Sequence, residues 1–257
     1  MTAMRNNLIV FLLTGMLALP VDAFEPISGY QFVSPETRAI QDDDFENPGY
    51  ITVEEGSDLF NERREDEENT CGDCHGSSGE KLDTDHIARY PIYDENLGGL
   101  ATLQDRIHNC WEINMDRFPL VYDDPQLVAL ETFVRNLAQG ETVNIQTDGP
   151  MTELLSKAEA IYHSRFGQID MSCYHCHVLH QGQMLRGQKL SQGQGNGFPE
   201  YRLGSGEITS LHKRMRQCFV SFRATPFEPG SDEFKLLELY IMSRGNGLRI
   251  ETPAVRY

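Results

Sequence analysis

"CGDCH" occupies residues 71–75 and "CYHCH" residues 173–177. Both spell C-x-x-C-H, and the meaning of that repeat decides the fold. Two thiols at this spacing bond to the two vinyl groups of one haem, and the histidine that follows sits beneath the iron as axial ligand. The competing readings explain less. Disulfide pairs, Cys71–Cys74 and Cys173–Cys176, leave the histidine after each pair without a purpose. Zinc requires a second nearby pair of ligands, which each motif lacks. Two covalently bound haem c groups are therefore expected, one on Cys71, Cys74 and His75, the other on Cys173, Cys176 and His177.

The start of the chain agrees with that chemistry. "MTAMRNNLIVFLLTGMLALPVDA" (1–23) carries Arg5, an apolar stretch from Leu8 to Leu19 and a small-residue end before Phe24. This is the pattern of a cleaved secretory signal, so a periplasmic protein is expected. The apolar run is short for a membrane span of ~20 residues, and no later stretch is long and apolar enough to cross a bilayer. The net charge of −17 disfavours nucleic acid as a partner. Much of that charge is local: residues 36–68 hold thirteen Asp/Glu against three Arg. Such a run reads as a solvated, partly mobile lead segment.

Outside the haem motifs the two halves still align. Cys71 matches Cys173, Arg106 matches Arg214, and Cys110 matches Cys218. Leu130-Glu131 matches Leu237-Glu238, and Gly140 matches Gly247. "DPQLVALETFVRNLAQG" (124–140) and "SDEFKLLELYIMSRGNG" (231–247) each open on a helix-start residue, carry apolar residues at helical spacing and close on glycine. "EGSDLFNERRE" (55–65) and "TELLSKAEAIYHSRF" (152–166) supply a further helix ahead of each motif. No run of strands is evident. The expected fold is all-α: two class I cytochrome c-like domains related by internal duplication, at 51–147 and 148–257, behind an irregular N-terminal extension at 24–50. The boundary falls near "NIQTDGPMTE" (144–153).

Between each motif and its closing helix the residue that recurs is cysteine, in the frame Leu-x-x-Arg-x-x-x-Cys. Met115 and Met184 have no aligned counterparts and read as packing or loop residues. His86, His108, His163, His180 and His212 read as surface or packing histidines, and His175 as a spacer within its motif. Cys110 and Cys218 are the expected sixth ligands, opposite His75 and His177. A thiolate there donates charge to ferric iron and lowers the reduction potential. The alternative is a Cys110–Cys218 disulfide, ordinary in an oxidising compartment.

Only the second copy of the frame is strongly basic: His212-Lys213-Arg214-Met215-Arg216 against Gln104-Asp105-Arg106-Ile107-His108. On a helix Arg214 lies one turn before Cys218, on the same face. A guanidinium matches sulfur oxyanions in bidentate fashion, and positive neighbours raise a thiol's thiolate fraction. The asymmetry points to Cys218 as the reactive end. Lys213 and Arg216 taken singly read as solvent-facing or propionate-binding, and Arg106 as structural. The Gly/Gln-rich stretch 181–207 reads as a flexible loop or as a haem-edge surface open to a partner's extended tail.

Together the two motifs, the paired lone cysteines, "RGQKLSQGQGNG" (186–197), "RMRQC" (214–218) and the ending "ETPAVR" (251–256) resemble the SoxA family, the dihaem A subunits of the Sox thiosulfate-oxidation pathway. The resemblance covers nearly all of the chain after the signal. It implies an L-cysteine S-thiosulfotransferase, paired with a SoxX cytochrome, that joins thiosulfate oxidatively to a cysteine of the SoxYZ carrier. It implies that Cys218 is the haem-ligating catalytic cysteine, often a persulfide, and that Arg214 positions substrate. It places the active-site haem on Cys173, Cys176 and His177, and a haem away from the chemistry on Cys71, Cys74, His75 and Cys110. Two other functions share the motifs: a dihaem electron carrier, which predicts Met or His as sixth ligand, and a thiosulfate dehydrogenase, which needs no carrier protein.

Overall fold

The computed structural model describes residues 24–63 and 69–257. The expected signal at 1–23 lies outside the described residues, as do residues 64–68 of the acidic run.

Helices carry the core. They are α1 (Pro35–Asp42), α2 (Gly49–Asn61), α3 (Cys71–His75), α4 (Thr84–Ile87), α5 (Leu103–Asn109), α6 (Pro125–Leu137), α7 (Met151–His163), α8 (Leu211–Ser221) and α9 (Asp232–Ser243). Local chemistry sets their starts. Ser34, Asp124, Ser210 and Ser231 each accept a backbone N–H of the first turn, and Pro35 and Pro125 occupy first-turn positions where no intrahelical donor is needed. The two expected closing helices form as α6 and α9, and Gly140 and Gly247 beyond them take positive φ. The two helices expected ahead of the motifs form as α2 and α7.

The acidic run departs from expectation. Instead of a mobile lead, much of it folds into α1 and α2, and α2 packs along α6 with Gly56 and Phe60 buried. A Cβ on Gly56 would stand 2.1 Å from the carbonyl oxygen of Ala129, so glycine is what lets the helices meet. The charges lie on the outward face, and the inward face supplies the packing. The 24–50 extension is likewise not irregular throughout: it carries a 3₁₀ turn at Gly29–Phe32 as well as α1.

Short strands are the second departure from an all-α expectation. β1 (Ile92–Asp94) and β2 (Gly99–Ala101) form one antiparallel pair, β3 (Met184–Leu185) and β4 (Gln188–Lys189) another. β5 (Glu200–Arg202), β6 (Glu207–Thr209) and β7 (Ala254–Arg256) make a three-stranded sheet in the order β6-β5-β7. β5 pairs antiparallel with β6 and parallel with β7, placing Arg202 beside Arg256. Strands of two or three residues are too short to display a period of two, and the β5–β7 pairing joins segments about fifty residues apart.

Two apolar clusters sit side by side. One gathers Phe60, Trp111, Leu130, Phe133 and Met151; the other gathers Tyr162, Met215, Phe219, Phe234 and Leu237. Helix α9 serves both, sending Leu239 and Met242 into the first and Phe234, Leu237 and Ile241 into the second. In the second cluster Phe219 lies 4.8 Å from Phe166, 5.2 Å from Phe227 and 5.8 Å from Phe234, centroid to centroid. Each such buried ring contributes about 1.5–3 kcal/mol by burial.

A buried polar seam runs between the clusters. Gln104 Nε2 donates to Glu131 Oε2 at 2.7 Å while its Oε1 accepts from the backbone N–H of Asp123. At the matching positions, His212 Nε2 lies 3.1 Å from Glu238 Oε2, and its Nδ1 accepts from the backbone N–H of Gly230. The acceptor role of Nδ1 puts the ring proton on Nε2, beside the carboxylate. Tyr122 stacks on His212 at 4.8 Å, Lys235 pairs with Asp105 at 2.8 Å, and Ser210 hydrogen-bonds Asp123. Among the described residues, no helix is long and apolar enough to cross a membrane.

Candidate active site

In each C-x-x-C-H motif a side chain reaches back to the residue just ahead of it. Thr70 and Asp73 form a reciprocal capping box at the start of α3. In the second motif, where a π-helical turn covers His175–Leu179, Ser172 Oγ lies 2.6 Å from His175 Nδ1 and its backbone N–H is 3.2 Å from the same atom. The spacers Asp73 and His175 therefore cap their own turns. The signal was present as Thr-x-x-Asp and Ser-x-x-His, hidden beneath the cysteine pattern.

Around the second motif lies a cavity of about 200 Å³. Cys173, Cys176 and His177 line it from one side, and Arg214 and Cys218, one turn apart on α8, from another. The frame spacing thus does what helix geometry predicts. Burial pushes the Cys173 thiol up to about 12, and the neighbouring Cys218 adds to the effect. Cys176 is raised by the same two causes in the same order. His177 is held below its usual range by burial first, partly offset by the Ser191 carbonyl.

These residues fit a haem c group. His177 Nδ1 is 3.0 Å from the Ser191 carbonyl oxygen, which fixes the ring and frees Nε2 as a donor to iron. Gly193, at φ +73°, passes so close to that ring that an added Cβ would stand 2.7 Å from it. The hydroxyl of Tyr162, a cavity-lining residue, is buried without a hydrogen-bond partner in the protein, which suits a wall shared with a bound group.

The first motif is assembled from nearer neighbours. Cys110 ends α5 where the chain enters a π-helical turn at Cys110–Asn114. Burial pushes Cys71 up to about 11, opposed by Arg117 and reinforced by Cys110. Met115 Sδ lies 3.7 Å from Cys71 Sγ and packs with the first cluster, as a packing residue should. His75 is lowered by burial, then by Arg106 and Lys81. His108 is engaged by the Leu120 carbonyl and Glu112, and Met184 is exposed. No disulfide joins any two of the six cysteines, and Cys110 and Cys218 are not bridged to each other.

The basic cluster resolves into separate roles. Lys213 is drawn off to Glu207 at 3.0 Å, and Arg216 is exposed. Arg214 alone faces the cavity, with Nη1 3.2 Å from Gln217 Oε1. Arg106 instead lies 3.9 Å from Asp94.

Sequence reasoning missed much of the cavity wall. Arg202 and Glu200 of β5 line it, joined at 2.9 Å and both largely buried. Arg256 of β7 and Gly29, Phe32 and Val33 of the N-terminal extension line it too. The extension is anchored on the second half: Ile27 N–H donates to Gln192 Oε1 at 2.8 Å, Ser28 Oγ bonds Glu251, and Gln41 bonds Val255 and Arg256. No local pattern announces contacts across 165–223 positions.

The chain is similar to known proteins over most of its length. The model of the SoxA/TsdA cytochrome c domain matches residues 55–143. The L-cysteine S-thiosulfotransferase subunit SoxA of Rhodovulum sulfidophilum is 38% identical over 91% of this chain and 82% of its own length. The same subunit of Pseudaminobacter salicylatoxidans is 36% identical over 90% of this chain and 81% of its own length. The crystal structure of SoxXA from P. pantotrophus superposes with a TM-score of 0.83 at 34% identity, covering 90% of this chain and 87% of that one. A mostly helical chain with a cytochrome c domain, aligned to these proteins over most of its length, belongs to the SoxA family.

Proposed function

We propose that this chain is the haem-bearing catalytic subunit of an L-cysteine S-thiosulfotransferase, joining thiosulfate to a cysteine of a SoxYZ-type carrier protein. The observation that carries the reading is the convergence of Cys173, Cys176, His177, Arg214 and Cys218 on one cavity. The names of the relatives at 36–38% identity support the reaction class.

In this reading Cys173 and Cys176 would hold a haem c covalently, and His177 and Cys218 would supply donors to its iron. Cys71, Cys74, His75 and Cys110 hold a second. A haem c bound beside Cys218 supplies a one-electron acceptor, so the two electrons released when a sulfur–sulfur bond forms need a further acceptor, a role suited to a SoxX-type cytochrome subunit. The chain's own residues do the rest. Ser191 orients His177, Gly193 leaves room for its ring, Arg214 holds the oxyanion end of thiosulfate, and Cys218 presents its sulfur at the cavity wall as a nucleophile that can carry a persulfide. The terminal sulfur of thiosulfate becomes bonded to the carrier's cysteine sulfur, whose thiol proton goes to solvent.

The two haem domains, at 51–147 and 148–257, arise in this reading from duplication. The matched bonding of Gln104 to Glu131 and placement of His212 against Glu238 support it. A cleaved signal at 1–23 would place the protein in the periplasm.

The test is Cys218→Ser, purified with its small cytochrome partner and full haem content, assayed with thiosulfate and carrier. Loss of carrier modification by orders of magnitude is expected, and unchanged modification overturns the assignment. Turnover of thiosulfate that continues without carrier would favour a dehydrogenase. Peptide mapping before and after mild reductant reads the persulfide on Cys218 directly.

A further inference from the structure

We infer that Arg202 is a second substrate-binding residue, its guanidinium forming with that of Arg214 a two-armed site for a sulfur oxyanion beside Cys218. The inference rests on the thiosulfate-transfer reading and deepens it.

Four cationic side chains line the cavity: Lys189, Arg202, Arg214 and Arg256. They are not equally available. Arg256 is consumed by the fold, with Nη2 on Glu251 at 2.9 Å and Nη1 shared between Gln41 and the Val255 carbonyl. Arg202 makes one side-chain contact among the described residues, from Nη1 to Glu200 Oε1 at 2.9 Å. Arg214 likewise makes one, to Gln217. A guanidinium has five N–H donors. Among the described residues neither arginine buries an N–H without a partner, and both side chains line the cavity.

Arg202 and Arg214 line the same cavity of about 200 Å³ as Cys218. Arg202 is held below its usual range by burial first, Glu200 opposes that, Arg214 adds to it, and the sulfur of Cys218 also acts on Arg202. Two guanidiniums facing one cavity repel, and a single carboxylate, Glu200, offsets one of them. An anion between them removes the repulsion, and a dianion gains from both arms. Glu200 holds the Arg202 plane fixed, so the fork is ready for bidentate contact with two oxygens of a sulfonate group. The register of β5 beside β7, Arg202 next to Arg256, sets where the fork stands.

A carboxylate of the haem itself presents the same chemistry to Arg202, and the experiment separates the two. Arg202→Gln and Arg202→Lys are made in the full chain, co-produced with its small cytochrome. Three quantities are read: haem per chain and the reduction potential of the haem on Cys173 and Cys176, calorimetric binding of thiosulfate, and KM and kcat for thiosulfate with carrier. The expected result is binding weakened by about ten- to a hundredfold in Arg202→Gln. KM should rise to match, kcat should stay within a few-fold, and haem content and potential should be unchanged, with Arg202→Lys restoring part of the affinity. Unchanged thiosulfate affinity, or a lost or shifted haem without a change in affinity, overturns the inference and assigns Arg202 to the prosthetic group. If the wild-type protein itself neither binds nor transfers thiosulfate, the functional reading fails first.

Discussion

The side-chain amide of Gln104 donates to Glu131 across 2.7 Å inside the seam between the two clusters, where both residues are buried. Burial, and then the negative charge of Glu238, push the Glu131 carboxyl up to about 8, against the opposing Gln104 amide and Arg135. The folded chain therefore binds this proton more tightly than the unfolded one, whose carboxyl has the ordinary value of 4.5. The sign follows from linkage: the stabilisation is full below pH 4.5 and is lost as pH rises through about 8. Glu131→Gln removes that dependence. Thermal unfolding at pH 5, 7 and 9 should show a variant with a flatter profile than wild type, and more stable than it at pH 9 by an amount on the order of a few kcal/mol. Identical pH profiles would remove Glu131 from the seam's titration.

Gly193→Ala should cost the second haem. The new methyl would stand 2.7 Å from the His177 ring at a backbone φ of +73°, unfavourable for any residue with a Cβ. Intact mass should fall by one haem, with the label missing from the 173–177 peptide and kept on 71–75. Full loading of both peptides would mean that the ring and loop part easily.

Gly56→Ala tests the helix pair under the acidic run. A methyl 2.1 Å from Ala129 O and 2.7 Å from Phe133 Cβ must push α2 off α6. A loss of about 1–3 kcal/mol is expected, read as a lower urea midpoint. A midpoint equal to wild type would show that α2 contributes little to the core.

Arg214 and Arg106 occupy matching places, yet only the first lines the cavity with Cys218, while the second lies near Asp94. Arg214→Gln should lower kcat/KM for thiosulfate by about ten- to a hundredfold, the loss of a charged hydrogen bond. Arg106→Gln should lower it far less. Equal losses would contradict the division of labour between the two halves.

Much of this protein was legible without coordinates. The C-x-x-C-H spacing is covalent chemistry, so it survives any fold. Helices α6 and α9 followed from a capped start, 3.6-residue periodicity and a closing glycine, all local properties. The i, i+4 relation of Arg214 to Cys218 came from helix geometry alone. The pairs Thr70 with Asp73 and Ser172 with His175 were equally local, though the C-x-x-C-H pattern assigns His175 no role beyond a spacer.

The sequence by itself determined the residues that can hold a haem and the helices that carry them. Tertiary structure decided which surfaces enclose them. It packed α2 against α6 through Gly56, turning an acidic lead into part of the core. It folded Gly29, Phe32 and Val33 over a cavity built mainly from the second half. It set Arg202 next to Arg256 by pairing two three-residue strands from distant parts of the chain. It also drew Lys213 away to Glu207, leaving Arg214 to face the cavity. The physical reason is common to all four: each contact is made by residues far apart along the chain, or by strands too short to impose a period. Their placement follows from how the apolar faces of the helices bury one another, and no local pattern records it.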